Sequence, residues 1–224
     1  MKFEGYQVRP VRTKDWVTFR CQMCGACCRH VEQKVMLESL DAFRLARFLK
    51  QRGDAITGMD DVFSQYTTAV PLEEGYPIFT LQVSSPEDTC IFLKDSRCSV
   101  YEARPRVCRL YPFTAAPGTK GRDFEYLLCT EAPHHFTDGR VLVNDWMYQN
   151  FKREDKEFVK REYDSAREIG RCLRQLGSSQ LRQALFPILF YRYYNYDLEK
   201  PFLPQYDRNL VNLTKKLREL LNGQ

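Results

Sequence analysis

An α+β fold is what this sequence predicts, and three observations carry the expectation. Apolar residues recur three and four apart in stretches such as "VMLESLDAFRLARFLKQRG", the spacing of an amphipathic helix. Shorter stretches, "YPIFTLQV" and "DFEYLLC", read as strands. Between them run turn-rich segments crowded with cysteine. The resulting architecture is a small irregular cysteine-rich metal-binding module, residues 1–140, packed against a C-terminal helical layer, residues 141–224. The boundary between them is soft and leaves a single continuous domain open.

The elements follow in chain order. In the first helix Leu40, Phe43, Leu45, Ala46, Phe48 and Leu49 make a broad apolar face, Ser39 caps it and Gly53 ends it. "MDDVFSQYTTAV" suggests a second short helix capped by Asp60, and the "YPIFTLQV" strand follows. "DTCIFLKDSRCSVYEARPRVCRLYPF" reads as turns and short helical turns, and "DFEYLLC" as a strand leading into Cys129. From Asn144 a long helical pattern begins, with a break near Lys152. Pro187 kinks or divides its continuation, because proline lacks the amide proton a helix interior needs. A last amphipathic helix closes at Gly223.

Composition narrows the class. The 224 residues carry a net charge of +5, and the whole excess falls after residue 149. A basic helical region can meet anionic partners, but the pattern is that of an ordinary solvated surface. "MKFEGYQVRPVRTKDW" has no apolar core of a signal peptide, and no stretch reaches the roughly 18 apolar residues of a membrane helix. A cytoplasmic protein with no membrane association is the expectation. In a reducing compartment nine cysteines point to metal or redox chemistry rather than disulfides.

Cys21, Cys24, Cys27 and Cys28 fall within eight residues, and Cys90, Cys98, Cys108 and Cys129 follow. The C-x2-C-x2-C run resembles the wrap around a four-iron cluster in bacterial ferredoxins, with Gly25 where the backbone must turn tightly. Neighbouring side chains usually diverge, so Cys27 and Cys28 are expected to serve two nearby sites, or one of them is no ligand. Eight thiols suffice for two four-sulfur centres, and one cluster plus a structural zinc fits equally well. Eight thiolates around two doubly charged centres leave a net charge of about −4, costly to bury uncompensated. Arg20, Arg29, Arg104, Arg106 and Arg109 flank the cysteines and are candidates to offset it. Cys172 shares a helical face with Ile169, Leu173 and Leu176 and reads as a core residue.

"CQMCGACCR" followed by "CIFLKDSRCSVYEARPRVCRLYPF" resembles the CxxCxxCC cysteine-cluster family, also called YkgJ-type, over residues 19 to 130. The family is described as zinc- or iron-chelating, and part of it is known as flagellin lysine N-methylase. The resemblance implies that Cys21, Cys24, Cys27, Cys28, Cys90, Cys98, Cys108 and Cys129 are the metal- and cofactor-binding set. This chain has no glycine-rich S-adenosylmethionine loop after a strand and no C-x3-C-x2-C radical run.

Other motifs weigh less. His134 and His135 can replace cysteine at a metal, although a surface loop beside the cluster is the plainer reading. His30 can donate to a cluster sulfur. "FYRYYNYD" interleaves aromatic and basic residues as base-stacking surfaces do, but reads better as a packed helix end. The sequence thus points to an iron–sulfur protein, of the four-iron type, in redox or electron-transfer chemistry or as the metal module of a modification enzyme. The alternatives are a zinc-binding structural or interaction module and a flagellin-type protein lysine methyltransferase. A protein partner or protein substrate is expected; nucleic acid is disfavoured, and the oligomeric state and catalytic residues stay open.

Overall fold

Leu40, Phe43, Leu45 and Leu49 come together on one face of the first helix and are almost wholly buried, as their spacing requires. The computed structural model describes residues 7–71, 77–118 and 123–223. Among them are seven α-helices and several small antiparallel sheets, an α+β fold. The helices are α1 (Ser39–Arg52), α2 (Met59–Tyr66), α3 (Arg106–Leu110), α4 (Val143–Asn150), α5 (Arg153–Leu173), α6 (Ser178–Leu189) and α7 (Phe202–Leu221). None is long and apolar enough to cross a membrane. The expectation about a leader rests partly on residues 1–6, and the start of the "YPIFTLQV" strand on Tyr76; both lie outside the described residues.

The chain forms two compact units that interleave in sequence. One takes the residues up to Met36 and Leu81–Lys160; the other takes Leu37–Thr80 and everything from Arg161 on. The sequence reading draws a single boundary near residue 140 instead.

The first unit is built on a three-stranded antiparallel sheet in the order Val8–Val11, Phe124–Cys129, Phe113–Pro117. The middle strand ends on Cys129, opposite Val8. Two short hairpins carry two further cysteines: Cys90 pairs with Val83, and Cys98 with Leu93. The second hairpin turns through Asp95 and Ser96, both at positive φ (48° and 61°), the mirror-image turn that matches strand twist. Leu110, Phe113, Leu128, Val143, Met147, Phe151 and Phe158 form the core, each at most 2% exposed. The Trp146 indole donates to the Leu110 carbonyl at 3.0 Å. Between α4 and α5 the chain breaks at Phe151 and Lys152, where the Asp155 carboxylate takes the Lys152 amide at 3.0 Å.

In the second unit α1 begins at its expected cap residue, one position earlier than the sequence reading has it. Ser39 lies inside the helix and Glu38 holds the cap position, whereas Gly53 does end it, at φ 93°. The cap of α2 is likewise not Asp60. Asp61 reaches back to accept the Thr57 and Gly58 amides at 2.6 and 3.2 Å, which holds its carboxyl below the usual range. Pro187 lies within α6, whose end passes into a π-helical turn, Phe190–Tyr194. Tyr193 and Tyr196 are buried there and Arg192 pairs with Glu162, so "FYRYYNYD" is a packed helix end. α7 starts at Phe202, ahead of the "DRNLVNLTKKLRELLNG" stretch in which the sequence pattern places the last helix. Cys172 packs against the cluster of Ile169, Leu176, Ala184, Ile188, Leu213 and Leu217, as a core residue should.

Candidate metal centre

The loop that carries the first four cysteines curls because three of its residues take left-handed backbone: Met23 (φ 50°), Gly25 (φ 73°) and His30 (φ 54°). A side chain on Gly25 would be strained at that φ, and its Cβ would come within 3.1 Å of Leu93 Cδ1. The chain then passes through the 3-10 turn Ala26–Cys28. Cys90 and Cys98 come from the two hairpins, Cys108 from α3 and Cys129 from the end of the central strand.

These elements enclose a cavity of about 700 Å³. Cys21, Cys27, Cys28, Cys90, Cys98, Cys108 and Cys129 all line it, but Cys24 does not. Cys90 is buried while Cys21 and Cys27 are exposed, so the sulfurs run from the surface inward. Of the five flanking arginines only Arg29 and Arg104 line the cavity, together with Arg97, Lys34 and His30. Arg104 also lies over the Tyr101 ring at 3.6 Å. Arg20 instead pairs with Asp138 at the surface, Arg106 donates to the Ala115 carbonyl, and Arg109 pairs with the buried Asp155.

The expectation that Cys27 and Cys28 diverge is not met. Their sulfurs lie 4.0 Å apart, because the 3-10 turn folds both toward one cavity. Two thiolates at 2.3 Å on one tetrahedral ion would be about 3.8 Å apart, so a single metal atom can take both. The hydrogen bond within this pair holds the Cys27 thiol down at about 7, against the effect of burial and with help from the Arg104 charge. The same bond, with burial, drives Cys28 well above the ordinary thiol range. Burial is also the main cause that pushes up Cys90, Cys98 and Cys129. Thiols so placed stay protonated until a cation replaces the proton. Seven soft sulfur donors around one cavity fit zinc or an iron–sulfur centre.

Cys24 points elsewhere. Its sulfur lies 3.2 Å from Nε2 of His135 and 3.7 Å from Nε2 of His134. Both histidines sit in the 3-10 turn Pro133–Phe136, whose His135 carbonyl accepts the Arg20 amide. The eight-cysteine set implied by the family resemblance leaves out this histidine pair. Its signal, "CTEAPHH" just beyond the last cysteine, is present in the sequence but does not tell which cysteine it meets.

A family model described as "Putative zinc- or iron-chelating domain", CxxCxxCC, matches residues 20–132, just over half of the chain. The chain belongs to this family. No solved structure matches it. Metal chelation is the property by which the CxxCxxCC family is described, and the cysteine-lined cavity lies within the matched residues apart from Val8.

Proposed function

We propose that this CxxCxxCC protein carries an iron–sulfur centre in the seven-cysteine cavity and serves redox chemistry, as an electron carrier or as the metal module of an enzyme acting on a protein partner. The cavity carries the reading. At about 700 Å³, with seven thiols on its wall, it offers far more room and more sulfur than one tetrahedral ion uses. A four-iron cluster takes four thiolates and leaves three over. Arg97, Arg104 and Lys34 on the wall would offset the thiolate charge and tune the potential of a bound centre, while Arg29 is paired with Glu87 at 3.0 Å. A cytoplasmic setting agrees with this use of reduced thiols.

The Cys27–Cys28 spacing favours a second reading. Two sulfurs 4.0 Å apart suit one ion, and closed zinc sites in the same cavity would make the chain a structural module. Anaerobic purification with iron, sulfide and zinc analysis separates the two. Brown protein absorbing near about 400 nm, with iron and sulfide in comparable amounts, is the expected result. Colourless protein with zinc and no sulfide overturns the first reading in favour of the second.

A further inference from the structure

We propose that Cys24, His134 and His135 form a separate mononuclear site for a divalent ion of the zinc type, outside the cysteine-lined cavity. One sulfur and two imidazole nitrogens lie within 4.8 Å of one another. For an ion at 2.3 Å from sulfur and about 2.05 Å from nitrogen, tetrahedral geometry sets each S···N distance near about 3.5 Å. The observed 3.2 and 3.7 Å fall on either side of that value. This donor set suits zinc, cobalt(II) or iron(II).

The surroundings hold the ligands as a metal site needs. His135 is 4% exposed, and its Nδ1 lies 2.8 Å from the Tyr111 hydroxyl. With Nε2 on the metal, Nδ1–H donates to the phenol oxygen, which fixes tautomer and ring orientation. Phe19 meets both rings edge-on, at 5.9 Å from Tyr111 and 6.3 Å from His135. Backbone ties fix the two loops: the Arg20 amide donates to the His135 carbonyl, the Gln22 side chain to the His134 carbonyl, and the Arg29 guanidinium to the Cys24 carbonyl. His134 is exposed, and the group that the described residues bring together has three ligand atoms, so a bound ion would keep a further position for water. Three protein ligands and an open position are the arrangement of a reactive zinc site rather than a closed structural one. Tyr111 also lines the cavity, so it stands between the two centres.

The inference does not depend on what fills the cavity. The test compares anaerobically purified full chain with His134→Ala, which removes an exposed ring, and Cys24→Ser, a conservative change. Each variant should lose about one equivalent of zinc while iron, sulfide and visible absorption stay at the parent level. Added cobalt(II) should bind the holoprotein, after mild chelation of that equivalent, with the visible bands of a tetrahedral thiolate complex, and neither variant should show them. Loss of iron and sulfide in Cys24→Ser, with His134→Ala unchanged, would make Cys24 a cluster ligand and overturn the proposal. Parent-level metal in both variants overturns it as well. Absence of iron and sulfide from the parent protein would defeat the iron–sulfur reading and leave this comparison intact.

Discussion

Gly25 shows how narrowly a single residue sets the cysteine loop. It holds φ 73°, and Leu93 Cδ1 lies within 3.1 Å of where its Cβ would be. Gly25→Ala should cost about 1–2 kcal/mol from the left-handed backbone alone. It should also lower metal content, because the cysteines on either side shift with it. Gly53→Ala is the control: it shares the positive φ but has nothing near its Cβ, so the melting temperature falls and the metal content does not. Equal metal loss in both variants would refute the role given to Gly25. Sequence reading reached this glycine through the C-x2-C-x2-C run, since tight turning is a local property. It reached Cys172 by helical periodicity in the same way. It did not reach the partner of Cys24, which is fixed by backbone bonds across more than a hundred residues, such as Arg20 to His135. Nor did it foresee that Cys27 and Cys28 face one cavity, because the conformation of Ala26–Cys28 decides where the two side chains go.

Elements were legible where apolar period and punctuation agree. α1, the break at Lys152 and the strand into Cys129 all have strong patterns and clear ends. Caps were not: Glu38 holds the cap position of α1 with no side-chain bond, and at α2 the cap is Gly58, with Asp61 rather than Asp60 taking the Thr57 and Gly58 amides. One tertiary tie between elements had no signal in the pattern. Arg109 on α3 makes a paired contact with Asp155 in the first turn of α5, at 2.8 and 3.3 Å, and Asp155 is 1% exposed. Asp155 also holds the start of α5 through the Lys152 amide. Asp155→Ala leaves the Arg109 charge without its counter-ion and should destabilise the protein by about 3–5 kcal/mol. Chemical denaturation would read this. A change under about 1 kcal/mol would place the pair among weak surface bridges instead.

At the scale of the molecule, metal and fold should be coupled unevenly. The cavity belongs to the first unit, where strands are short and the cysteines come from hairpins, a loop and a five-residue helix. Removing metal should therefore raise amide hydrogen exchange in residues 7–36 and 81–132 and leave residues 161–223 near their starting protection. Uniform deprotection along the chain would contradict this. The interleaving of the two units also bears on synthesis. Leu37–Thr80 carries Leu40, Phe43, Leu49 and Met59, whose unit is completed only by residues after Lys160. The intervening 80 residues of Leu81–Lys160 take about 4–16 s to translate at about 5–20 residues per second. Every cysteine on the cavity wall is thus out of the ribosome, given the exit tunnel's lag, while α1 and α2 still wait for their partners. The first unit, whose last residue is Lys160, is the first that can close, and a nascent chain can take up its metal before α1 and α2 are covered.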